Sequence, residues 1–345
     1  MKVLMIGLGG IGQRHVRNLS ALLGDQLELM AYRTRRSSTV LTDRLQVEPG
    51  ADLESKYQIR TFTDLDAALA EGPQVAFVCN PSSLHIPAAL KAANAGCHLF
   101  IEKPMSHNTE GIQQLISVVQ QKGLVGYVGY QMRFHPCLRR VHDLLAQGAV
   151  GQVLSVQAEV GEYLPGWHTY EDYRQMYASR RDLGGGVILS QIHELDYLYW
   201  FFGLPRRIFA LGGHLSSLEV DVEDVANILM SFKVGAMAIP VFLHQDYIQR
   251  PPSRNCCIIG DNGKIVVDFV GLTVRWYDGE GKLAEEAHIE NFQRNQLFLD
   301  ELFHFLACVR GEEKPLISLE DGFQSLRMAL AARESLETGK VVLLD

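Results

Sequence analysis

The chain has 345 residues, 47% of them hydrophobic and 21% charged, with a formal charge of −8. Those proportions exclude a disordered or fibrous protein, and the acidic balance without a basic block excludes nucleic acid as a partner. At about 150 residues per domain the length predicts two domains and a substantial core.

The opening MKVLMIGLGGIG is broken by four glycines and followed by no cleavage site, so it is not expected to act as a secretory leader. No apolar run reaches the roughly 18 residues of a membrane span, and a cytoplasmic protein with no membrane partner is expected. The six cysteines form no C-x-x-C pair and no zinc spacing, which predicts reduced thiols and no metal site.

Residues 3–6 read as a buried strand, and GLGGIG at 7–12 follows it at the head of a helix whose apolar face is Ile11, His15, Leu19, Leu22 and Leu23. The pattern fits G-x-G-x-x-G: Gly7 for the tight turn, Gly9 for close approach of a pyrophosphate, Gly12 for packing of helix on strand. Gly10 and Ile11 complete this cofactor loop. A second strand is expected at 27–31. An NAD site carries a carboxylate about 20 residues beyond the glycine motif, yet here Tyr32 and Arg33 stand there, followed by Thr34, Arg35, Arg36, Ser37 and Ser38. Guanidinium groups and hydroxyls suit a 2′-phosphate, so NADP(H) is expected in preference to NAD(H).

A third strand at 75–79 leads into NPSSLH, where Asn80, Pro81 and His85 border the same crevice and Ser82 or Ser83 is expected to cap the next helix. HLFIEKPMS at 98–106 ends a fourth strand: Pro104 cannot join a ladder, so Glu102 and Lys103 fall at the crevice mouth. With a fifth strand at 125–128, the first half is a doubly wound α/β domain, bounded at 1–123.

From residue 151 the rhythm becomes alternation, with runs at 153–160, 225–232, 236–244, 257–259 and 265–269 and an Asn-Gly hairpin signal in DNGK at 261–264. Residues 124–345 are therefore expected to form an α+β domain with a mostly antiparallel open sheet, closed by helices at 296–310 and 319–338. Within it, DLGGGVILSQIHELD at 182–196 predicts a helix carrying His193 and Asp196 one turn apart, a spacing that lets a carboxylate orient an imidazole.

GLGGIGQRH, NPSSLHIPAALKAANAGCHLFIEKP, GYQMRFHP, GGGVILSQIHELD and LFLDELFHFLACVRGEEKPLISLEDG together resemble the glucose-fructose oxidoreductase/inositol dehydrogenase/MocA-type family over nearly the whole chain. The resemblance implies a nucleotide domain before an α+β domain whose open sheet forms a subunit interface, and so a homodimer or homotetramer. It also implies Lys103 and His193 as the catalytic pair. The family often sets an aspartate four residues before the histidine; this chain has Leu189. The expected activity is hydride exchange between a nicotinamide and a secondary alcohol or ketone of a sugar or polyol. The other readings are a silent dinucleotide-binding regulator and a nicotinamide-assisted sugar hydrolase or transferase. Substrate contacts are expected from Lys103, Arg133, Tyr173, Arg174, His193 and Arg254, and so many arginines suit an anionic sugar.

Overall fold

A computed structural model describes residues 1–34, 39–43 and 45–344. β1 (Lys2–Ile6) leads into α1 (Gly10–Leu23), and β2 (Glu28–Tyr32) follows. A small hairpin of β3 (Val40–Leu41) and β4 (Val47–Glu48), then α2 (Leu53–Tyr57), reaches β5 (Arg60–Phe62). The half closes with α3 (Leu65–Ala70), β6 (Val75–Val78), α4 (His85–Asn94), β7 (His98–Glu102), α5 (Ile112–Gln121) and β8 (Gly126–Gly129).

Among the described residues these strands form a six-stranded sheet in the order β5-β2-β1-β6-β7-β8, every pair parallel. Val3, Leu4, Met5 and Ile6 are wholly buried, as a strand covered on both faces requires. Strand order reverses at β1, and a ligand crevice opens there beyond the carboxyl ends of the strands. The edge strand β5 is short and partly exposed, so it carries no apolar run that sequence reading could detect. β8 lies past residue 123, so the sheet runs beyond the expected boundary.

The second half begins with α6 (Pro136–Ala146), β9 (Val153–Gly161), α7 (Val187–Ser190), α8 (His193–Phe202) and β10 (Pro205–Gly213). It continues through β11 (Val225–Val234), β12 (Met237–Asp246), β13 (Ser253–Gly260), β14 (Gly263–Asp268), β15 (Thr273–Asp278) and β16 (Leu283–His288). α9 (Arg294–Val309), α10 (Leu319–Thr338) and β17 (Val342–Leu343) end it. Among the described residues nine strands pair in the order β16-β15-β14-β13-β9-β12-β11-β10-β17, antiparallel except for β9 with β12.

The hairpin expected at 261–264 is present: Asp261 and Asn262 form its two-residue loop, and Gly263, at φ +144°, opens β14 opposite Gly260. Two other local expectations need correction. The single helix expected after the triple glycine is two, interrupted at Gln191 and Ile192. Ser82 does not cap α4; its hydroxyl donates to the Leu183 carbonyl at 3.3 Å, tying the two halves together.

The two halves also share a core. Phe77 and Phe100 stack at 4.9 Å and Phe100 and Tyr127 at 5.5 Å, all on the first sheet. Phe305 of α9 meets these rings edge-on at 5.6, 5.3 and 5.7 Å, an arrangement that aromatic quadrupoles favour. Among the described residues all six cysteines are free, and no helix is long and apolar enough to cross a membrane.

Candidate active site

A cleft of about 1740 Å³ runs from the glycine turn, past the ends of β6 and β7, to the amino ends of α8 and α9. At its first end the three motif glycines have different reasons to be glycine. Gly7 has φ +101°, and a Cβ there would lie 2.8 Å from the Asn80 nitrogen. A Cβ on Gly12 would lie 2.4 Å from the Gly7 carbonyl oxygen, so helix and strand could not pack. A Cβ on Gly9 would meet nothing within 4 Å among the described residues, and Gly9 is the N-cap of α1 without a side-chain cap. Free amides at a helix amino end beside open space suit an incoming phosphate, so these residues fit a dinucleotide. Gly10 is different: its Cβ would lie 2.7 Å from the Tyr170 hydroxyl, which reaches over from the second half.

Ile11, Arg33, Thr34, Asn80, Pro81 and His85 also line the cleft. The Arg33 guanidinium donates to Glu54 at 3.1 Å. Arg35 and Arg36 lie outside the described residues. His85 joins two loops, with Nε2 2.7 Å from the Asn80 carbonyl and Nδ1 2.9 Å from that of Pro104. Its burial lowers its pKa against the pull of those carbonyls.

At the other end β7 stops at Glu102, and Lys103 projects into the cleft, where its ammonium donates to the Ser190 carbonyl at 2.9 Å. Ser190 ends α7, and His193 begins α8, so the break between the helices brings the histidine beside the lysine. His193 is 5% exposed; its Nε2 lies 3.2 Å from Gln131 Nε2, and Nδ1 has no partner among the described residues. Burial, reinforced by the charges of Lys103, Arg254 and Arg294, holds His193 well below the ordinary histidine value.

Residues that sequence reading missed support this pair. His15 of α1 lies 2.6 Å from Glu102, whose other oxygen accepts from the Lys103 backbone amide at 3.2 Å. Glu301 of α9 is buried with Oε1 unpartnered among the described residues, and burial beside Glu102 and Asp196 pushes it well above the carboxylate range. Gln131 stands inside the quoted GYQMRFHP, but nothing in its spacing marks it as facing His193.

Of the expected substrate contacts, Lys103, His193 and Arg254 line the cleft. Arg254 is held by Glu194 through bonds of 2.7 and 3.1 Å. The structure places the others elsewhere. Arg133 is buried and committed to Asp196 at 2.9 and 2.8 Å, which also removes Asp196 from any role in orienting His193. Tyr173 accepts from the Glu219 amide at 3.2 Å, and Arg174 is exposed between Asp172 and Glu219; neither lines the cleft.

Comparison with known proteins accords with this geometry. The family described as oxidoreductase family, NAD-binding Rossmann fold (Gfo/Idh/MocA) matches residues 1–130, and its C-terminal domain matches residues 138–266. Myo-inositol 2-dehydrogenase of Thermotoga maritima is 27% identical, over 100% of this chain and 99% of its own. UDP-N-acetylglucosamine 3-dehydrogenase of Acidithiobacillus ferrooxidans is 28% identical over 80% of this chain and 77% of its own. The WlbA dehydrogenase of Bordetella pertussis, solved with NADH and UDP-GlcNAcA, superposes with a TM-score of 0.81 at 22% identity, over 100% of this chain and 99% of its own. With a glycine turn, a strand-end lysine and a helix histidine gathered in one cleft between the matched segments, the chain belongs to the Gfo/Idh/MocA oxidoreductase family.

Proposed function

We propose that the protein oxidises a secondary alcohol, or reduces the matching ketone, of a sugar or polyol, with NADP(H) preferred over NAD(H). The observation that carries this reading is the convergence of Lys103 and His193 through Ser190 at the far end of a cleft that begins at the glycine turn. A bound nicotinamide dinucleotide supplies the hydride acceptor or donor. In oxidation the substrate carbon loses its hydride while His193, kept neutral by burial and neighbouring cations, takes the hydroxyl proton. In reduction the same ring returns that proton to the oxygen. Lys103 holds the oxygen as negative charge develops, exchanging its bond to the Ser190 carbonyl for one to substrate. Gln131 serves both protonation states of His193, because turning its amide end for end converts a donor into an acceptor.

Preference for NADP(H) is supported by Arg33 lining the cleft just beyond β2, where an NAD site would hold a carboxylate. Incubating the protein with NADP⁺ and a panel of polyols and aldoses, and following nicotinamide absorbance, tests the reaction. Tight cofactor binding with no redox change on any of them would point to a silent regulator instead. Transfer or hydrolysis predicts product formation with no net change in nicotinamide.

A further inference from the structure

We propose that Arg294, with the amino end of α9, receives an anionic group of the substrate, so that the substrate is a sugar bearing a carboxylate or phosphate. This rests on the sugar oxidoreductase reading and adds a recognition site to it.

Arg294 is the first residue of α9 and lines the cleft near His193, whose imidazole feels its charge. It has no carboxylate within ion-pair distance among the described residues, whereas Arg254 on the same wall is satisfied by Glu194. Arg294 is exposed on the cleft wall, among other positive groups. The amino end of a 16-residue helix already presents positive charge, α9 has neither a side-chain cap nor an acidic residue in its first turn, and Arg14 of α1 adds another cation nearby. Lys103 and Glu162 line the same cleft. Gln191 and His193 line the cleft and are more than nine-tenths buried, and Gln191 Oε1 and His193 Nδ1 lack partners among the described residues. Buried polar atoms of this kind are satisfied by ligand or water, and the adjoining cations call for a ligand carrying negative charge.

The test is calorimetric titration of the NADP⁺-loaded protein with matched sugars: D-hexoses of gluco, galacto and manno configuration, their uronates and their 6-phosphates. At least one anionic sugar should bind about tenfold or more tightly than its neutral parent, as loss of a charge-assisted contact implies. Arg294→Gln should close most of that gap and Arg294→Lys should retain part of it, with cofactor affinity within about twofold of wild type. A better uronate identifies a carboxylate as the recognised group, and a better 6-phosphate identifies a phosphate. Equal binding of neutral parents, no binding of any anionic sugar, a gap that survives Arg294→Gln, or an equal loss of cofactor affinity would each overturn the proposal. Absorbance of nicotinamide in the same mixtures reports separately on the oxidoreductase reading: an anionic sugar that binds without redox change sinks that reading and leaves the anion site standing.

Discussion

Gln131, in the segment after β8, and His193, at the start of α8, lie side by side with 3.2 Å between their Nε2 atoms. The imidazole is held neutral chiefly by burial and then by Lys103. Neutral imidazole is the form that accepts a proton, so oxidation should persist to a pH below the ordinary histidine value of about 6.5. Lys103→Met removes one of the repelling cations and should move the acid limb of kcat/KM upward, toward 6.5. A limb that stays in place, measured in parallel with wild type, would remove the electrostatic coupling.

Both Lys103→Met and His193→Ala should lower turnover by about 10²- to 10⁴-fold with little change in cofactor affinity. Stopped-flow hydride transfer beside fluorescence titration of cofactor checks both halves. Near-normal turnover in both variants would take the pair out of the chemistry.

Wild type should bind NADP(H) about ten- to a hundredfold more tightly than NAD(H), as one or two charge-assisted contacts to a 2′-phosphate imply. Arg33→Asp with Arg35→Ala should weaken NADP(H) and spare NAD(H). The fluorescence titration of both cofactors settles it, and a wild-type preference for NAD(H) would make the arginines a solvated loop.

His135 caps α6, its Nδ1 accepting from the Cys137 amide at 3.2 Å, and burial followed by Arg254 lowers its pKa to about 4. The folded value is below the unfolded value of about 6.5, so the neutral ring stabilises the fold fully above that pH and progressively less toward 4, a loss of at most about 3 kcal/mol. His135→Asn keeps a capping acceptor without the titration. Urea melts at pH 7.5 and 4.5 should show a smaller loss in the variant; an unchanged loss would place the titration on other groups.

Burial, followed by the neighbouring Glu102 and Asp196, raises the Glu301 carboxyl above its ordinary value, which favours its protonated form. Glu301→Gln then exchanges one neutral group for another of similar shape and should cost under about 1 kcal/mol, whereas stripping an ionised partner from a buried pair costs about 3 to 5 kcal/mol. Thermal melts at pH 7 discriminate the two.

The parallel sheet was legible because its central strands are continuous apolar runs, and Lys103 because Pro104 marks where its strand must stop. The i to i+3 spacing of His193 and Asp196 left two roles open for the carboxylate, because spacing along a helix cannot show that Arg133, 63 residues earlier, claims it. Arg133 and Arg174 attracted notice as cations, but what a cation does depends on carboxylates brought to it by the fold, Asp196 in one case and Asp172 with Glu219 in the other. His15 and Glu301 escaped notice because each sits on the buried stripe of a helix, where sequence reading expects core.

The contact of Phe305 with Phe77, Phe100 and Tyr127 has a consequence for synthesis. When the nucleotide-binding half leaves the ribosome, one aromatic face of its sheet still lacks the helix that covers it. That face stays open until α9, more than 150 residues further along, has emerged. Long-range closure of this kind is slow and leaves apolar surface exposed to aggregation meanwhile. Release of the first 130 residues as a separate fragment should therefore yield a sticky, incompletely packed species, because the helix that covers its sheet lies outside it.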